Sequence, residues 1–237
     1  LIPALLFAYL SHPRPAEYLG LHAPGKGMQV ALAILVMLGA APLLQGLEAL
    51  IGMIDFGPKI KAAQDANNSM IAAFFKMPDF GTFLRMFTIM AIIPAVGEEL
   101  FFRGVLLRFV KQRTLTMTAP ILFTAIVFAY SHTNIYGYLS IFLAGVLLAV
   151  IYNVTGSLWC SIAAHLSFNG FQIVLAYIGN SNKAVKTFTE STTTPVLYVV
   201  GGAVLFAVSF FLLLRTKTPL APNWADNFEP GELIENA

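Results

Sequence analysis

Continuous apolar runs about twenty residues long recur along this chain, for example at 28–47 and 195–214. A helix needs about 20 mostly apolar residues to cross the hydrocarbon core of a bilayer. Inside that core each backbone N–H and C=O must find its partner within the protein, so only helices and closed barrels span it. A barrel would alternate apolar and polar residues over short strands, and these runs do not alternate. Composition agrees: 57% of the residues are hydrophobic and 11% are charged, against roughly 25% charged in soluble domains. The expected fold is all-α, a polytopic transmembrane helical bundle.

The expected spans are 28–47, 83–109, 119–132, 138–152, 158–178 and 195–214, with a partial one at 1–10. The opening run begins at Leu1 without an initiator Met and reads as the tail of a membrane helix with N-terminal residues missing. It lacks the basic flank and small-residue cleavage site of a signal peptide. Residues 1–218 are read as one transmembrane domain whose catalytic core covers about 83–180. Residues 219–237 are read as an exposed acidic tail carrying Asp226, Glu229, Glu232 and Glu235. The segment 55–79 mixes charges with Ile60, Met70, Ile71 and Phe74. It suits either an amphipathic helix in the membrane interface or a loop with a short helix, and it could steer substrate or dock a partner.

Basic residues in short loops mark the cytoplasmic side. Arg103, Arg108, Lys111 and Arg113 follow the second full span with no acid among them. Alternation then puts Arg14, Lys26, Arg215 and Lys217 on the same side, and 55–79 and 183–190 on the other. On this reading the acidic pair Glu98-Glu99 lies towards the cytoplasmic end of its helix. A net charge of +2 and the lack of a basic stripe give no case for nucleic acid. The lone Cys160 excludes an intrachain disulfide and a cysteine metal cluster, and is expected to be a buried, inert thiol.

Ionisable residues at membrane depth are costly and mark function by default. Glu98 and Glu99 stand together in such a stretch. Glu99 and Arg103 are four residues apart and share a helix face, while Glu98 is turned roughly 100° away. Phe128 and His132 are also four apart, so the ring can pack beside the imidazole. His165 and Asn169 repeat that spacing in an otherwise apolar helix. Each set alone has a structural reading, as an ion pair, an interfacial histidine or interhelical hydrogen bonding. Together they offer a carboxylate to activate water and donors to stabilise an oxyanion, which suffices for hydrolysis of an amide bond. His12 and His22 fall in a proline-rich loop and are expected to be solvated bystanders.

The three motifs, EExxxR at Glu98–Arg103, FxxxH at Phe128–His132 and HxxxN at His165–Asn169, resemble in order those of the CPBP family. These are the CaaX-protease and bacteriocin-processing intramembrane proteases, which include the Ras-converting enzyme. The resemblance covers about 83–171. It implies an intramembrane endopeptidase with a polar cavity open to the cytoplasmic side, acting on a peptide or membrane-protein tail. By the same resemblance Glu98 activates the water, His132 works beside it, and His165 and Asn169 form the oxyanion site. Glu99 and Arg103 hold the helices and tune the base. The family has been described both as metal-dependent and as glutamate-dependent. The HExxH spacing is absent. A bound metal is not required by this reading; if Zn²⁺ binds, Glu98, His132 and His165 would be its ligands. The implied partners are the lipid bilayer and a peptide or protein substrate, and the implied location is a bacterial inner membrane. The competing readings are a non-catalytic scaffold or immunity subunit, and a transporter, which would want broken helices in two symmetric halves.

Overall fold

A computed structural model describes residues 1–189, 194–221 and 224–226. Among them the regular structure is entirely helical: α1 (Ile2–Ser11), α2 (Pro15–Tyr18), α3 (Met28–Ile51), α4 (Pro58–Phe74), α5 (Phe80–Lys111), α6 (Thr118–Tyr130), α7 (Tyr138–Thr155), α8 (Leu158–Gly179), α9 (Lys183–Thr189) and α10 (Val196–Arg215). Five of these, α3, α5, α7, α8 and α10, are long and apolar enough to cross a membrane.

Sequence chemistry sets the element ends. Asp79 caps α5, its carboxylate accepting from the Thr82 N–H and hydroxyl at 2.8 Å. The Thr82 hydrogen bonds hold that carboxyl below its ordinary pKa. Gly156 ends α7 at φ +68°, a conformation that costs glycine little, and lets α8 start at once. The helix α5 is not uniform. It contains π-helical turns at Thr88–Ile92 and Leu100–Leu106. Pro94, near the start of the α-helical turns between them, has no N–H to give to the ladder. Single π turns of this kind gather at functional sites, and the second follows Glu99 directly.

The helix α6 corrects one expected span. It stops at Tyr130 after 13 residues, roughly 20 Å of helix against a core of about 30 Å. The turn that follows carries His132 into the wall of the cavity.

Hydrogen bonds sort the helix ends into two groups. At one end Gln29 donates to the Thr216 carbonyl, Arg108 to the carbonyls of Tyr18 and Asp226, and Ser157 to that of His22. Arg14, Lys26, Lys111, Arg113, Arg215 and Lys217 belong to this end by position in the chain. At the other end Asn134 donates to Glu48, Gln64 to Asn134, and Asn180 to the Met77 carbonyl. The basic residues at 14, 26, 108–113 and 215–217 thus gather at one end, while Lys59, Lys61, Lys76, Lys183 and Lys186 lie at the other.

Two segments at the margins add detail. The helix α4 does form over 58–74, but its buried residues are the polar Gln64 and Asn67, while Met70 and Phe74 are exposed. Its polar side faces the bundle. The tail is not free where it is described: Ala225 is buried, and Trp224 packs edge-on against Tyr152. Glu229, Glu232 and Glu235 lie outside the described residues.

The core joins α3, α7, α8 and α10 through Val36, Met37, Leu148, Ile151, Ala164 and Leu213. Small residues let helices approach closely in membranes. A Cβ on Gly39 of α3 would lie 2.5 Å from the Phe206 backbone nitrogen of α10. Since backbone cannot rotate away, Gly39→Val should destabilise the protein by at least the 1–3 kcal/mol typical of overpacking. Thermal unfolding in detergent reads this as a clear fall in midpoint, and an unchanged midpoint would refute the contact.

Candidate active site

The site is built around a carboxylate with no exposed surface. Glu99 is 0% exposed and Arg103, one turn later on α5, is 1% exposed. Glu99 Oε1 accepts from Arg103 Nη1 at 2.6 Å and from His165 Nδ1 at 2.9 Å, and Oε2 accepts from the Ser161 hydroxyl at 2.6 Å. Both carboxylate oxygens are therefore satisfied by charge-assisted or hydroxyl bonds. The other arm of the guanidinium donates to the Gly145 carbonyl at 2.8 Å, so one ion pair ties α5 to α7 and α8.

Glu98 is placed differently. Its side chain is 31% exposed, and its Oε2 lies 3.9 Å from His165 Nε2. That oxygen is buried yet has no hydrogen-bond partner. The two acids thus address the same imidazole from opposite nitrogens, one bonded and one held off.

Phe128 sets the spacing of the imidazoles. Its ring centroid is 4.8 Å from that of His132 and 5.9 Å from that of His165. The Arg103 guanidinium stands 5.0 Å from the same ring, a cation–π distance, and Phe102 meets it edge-on at 5.1 Å. His132 Nδ1 lies 2.8 Å from the Phe128 carbonyl. A carbonyl only accepts, so this nitrogen carries the proton in the neutral ring. His165 likewise gives its Nδ1 proton to Glu99. In both rings Nε2 is the nitrogen left for chemistry.

A cavity of about 180 Å³ lies beside these groups, with Phe128, His132, His165 and Asn169 in its wall. Glu98 sits next to this lining and meets it through His165. The rest of the wall includes Leu44, Gln45, Glu48, Asn134 and Ser140. These residues belong to the end of the bundle opposite the basic cluster. The second half of α3 and the start of α7 contribute to the wall, whereas Arg108 to Arg113 follow Glu98 by at least ten residues in the other direction.

Sequence reasoning missed two members of the site. Ser161 precedes His165 by one helical turn on the same face, a signal present in the spacing but carrying no charge. Gly145 gives a carbonyl to Arg103, and a Cβ there would come 3.1 Å from the Phe128 ring and 3.3 Å from the Ala125 backbone. His22 is exposed, and His12 folds back on Arg14 at the basic end, away from the cavity. Burial dominates there, with the neighbouring Arg108 and Arg14 acting the same way, and lowers the His12 pKa. Among the described residues no group of three His, Cys, Asp or Glu that could hold an ion is found.

Removing one partner of a buried ion pair costs about 3–5 kcal/mol because a charge is left uncompensated. Arg103→Ala should lose stability on that scale. Arg103→Lys keeps the charge but not the planar fork, so it should fall between wild type and Arg103→Ala. Urea or thermal unfolding in mild detergent gives the order; equal stability of all three would show that the pair carries no weight.

With this geometry in hand, residues 80–171 match the family model described as type II CAAX prenyl endopeptidase Rce1-like. The matched stretch starts with α5 and ends just past Asn169, so it contains all three motifs. No curated protein and no solved structure matches the chain. The match bears out the resemblance drawn from the motifs. It implies CAAX-type protease activity on a peptide or protein substrate, and with the five apolar helices it makes this an integral membrane protein.

Proposed function

We propose that this protein is an intramembrane endopeptidase in which Glu98 activates water for attack on a peptide bond. The observation that carries the reading is the division between the two acids. Glu99 is saturated by Arg103, Ser161 and His165, while Glu98 keeps an unpartnered oxygen beside the other face of the same imidazole. Glu98 takes a proton from water as general base, and the resulting hydroxide adds to the scissile carbonyl carbon. The C=O electrons move onto oxygen, and the oxyanion is met by the Asn169 amide in the cavity wall. Among the described residues no hydrogen bond engages that amide. His165 joins it at the oxyanion through Nε2, its ring held in place by the Nδ1 bond to Glu99. The C–N bond then breaks as Glu98 returns its proton to the leaving amine, a transfer in which we assign His132 the role of relay.

The test is cleavage of a quenched peptide library, including CaaX-type C-termini with and without a prenyl group, by purified protein. Wild type should cleave. Glu98→Gln should lose about 10²–10⁴-fold in rate, the usual worth of a general base, and Asn169→Ala about 10²–10³-fold in kcat. A folded wild type that cleaves none of these peptides, or a fully active Glu98→Gln, would favour a scaffold that uses the cluster only for packing.

A further inference from the structure

We propose that Glu48 is a specificity-determining residue of this cavity and selects substrates with a lysine or arginine side chain flanking the scissile bond. The inference rests on the protease reading above and deepens it. Among the residues lining the cavity, Glu48 is the one Asp, Glu, Lys or Arg. The described residues place it in no ion pair. Just beyond the lining stands a second carboxylate, Glu98, while the nearby cation Arg103 is sealed from solvent and neutralised by Glu99. The titratable groups in the wall are thus the Glu48 carboxylate and the imidazoles of His132 and His165, with Glu98 behind His165. Lys59 and Lys61 at the same end are exposed on α4 and do not line it. An acidic wall in low-dielectric surroundings concentrates its potential inside the cleft.

Glu48 is also held in place rather than left to swing. Asn134 Oδ1 accepts from Gln64 Nε2 at 3.0 Å and from the Gly137 N–H at 3.1 Å. That fixes the amide so that its Nδ2 donates to Glu48 Oε1 at 2.7 Å. The Oε2 oxygen has no hydrogen bond among the described residues. One oxygen anchors the group and the other is left for a ligand. A partly desolvated carboxylate so placed attracts an ammonium or guanidinium and repels an acidic side chain, which gives selectivity by both attraction and repulsion.

The experiment uses three peptide series identical except for Lys, Gln or Glu at the positions flanking the cleaved bond. Cleavage is measured with wild type, Glu48→Gln and Glu48→Lys. Glu48→Gln keeps an acceptor for Asn134, so the anchoring bond survives. Wild type should prefer the Lys over the Glu series by roughly tenfold, expressed in KM rather than kcat. Added salt should shrink the preference, Glu48→Gln should erase it, and Glu48→Lys should reverse it. Binding of the same labelled peptides to Glu98→Gln protein, with and without Glu48→Gln, is followed by fluorescence anisotropy. Cleavage without a charge preference, or a preference that survives Glu48→Gln, overturns this proposal and leaves the protease reading intact. No cleavage together with Glu48-dependent binding of Lys peptides overturns the protease reading and keeps the recognition role. No cleavage and no charge-dependent binding overturns both.

Discussion

A carboxylate without exposed surface, in a chain built for lipid, is the constraint on which the rest of this structure depends. An ionised group at such a place costs several kcal/mol unless it is paired and fully hydrogen-bonded. Glu99 meets that demand with Arg103 from its own helix and with Ser161 and His165 from α8. The arginine in turn needs an acceptor for its second arm and takes the Gly145 carbonyl of α7. Satisfying one acid therefore fixes where three helices stand. The same bonds orient His165, because the proton on its Nδ1 is committed to Glu99. Its Nε2 is thereby turned towards Glu98, and the chemistry assigned to Glu98 depends on a neighbour that does none.

The surrounding architecture keeps this small polar region in register. Phe128 presents its ring to Arg103, His132 and His165 at once, and the absent side chain of Gly145 leaves room for it. The short α6 ends beside the cavity, so His132 is delivered by a turn and not by a helix face. The π turns of α5 bracket the residues that hold Glu98 and Glu99. Over the cavity end, α4 turns its amides inward, and Gln64 and Asn67 bond to Asn134 and Thr133. Polar groups from α3, α4, α7 and α8 converge there, and Arg108, Lys111 and Arg113 stay at the other end.

Much of this was legible in the sequence, for identifiable reasons. Spacings of four residues gave the Glu99–Arg103 pair and the Phe128–His132 contact directly, because they depend only on helix geometry. Long apolar runs gave the bundle. The length of α6 was harder: Ser131 to Gly137 interrupt an apolar pattern that continues on both sides, and hydropathy alone does not say at what depth a turn occurs. Ser161 and Gly145 were invisible for opposite reasons. A serine in an apolar helix carries no charge to attract notice, and the contribution of Gly145 is a backbone carbonyl and an absence of atoms. The placement of the cavity relative to the basic end depends on which half of α3 lines it. Such a fact belongs to tertiary packing and leaves no mark on local pattern.

The division of labour between the two acids is tested most directly by their separate removal, with stability measured in parallel for Glu98→Gln and Glu99→Gln in detergent. Glu99→Gln removes the negative charge from a sealed pair and leaves Arg103 uncompensated, so a loss of about 3–5 kcal/mol is predicted. Glu98→Gln removes a half-open carboxylate that has an unpartnered oxygen, so its stability should stay within about 0.5 kcal/mol of wild type, as for changes outside a bonded network. The reverse order, or equal losses for the two variants, would contradict the assignment of Glu99 to structure and Glu98 to chemistry.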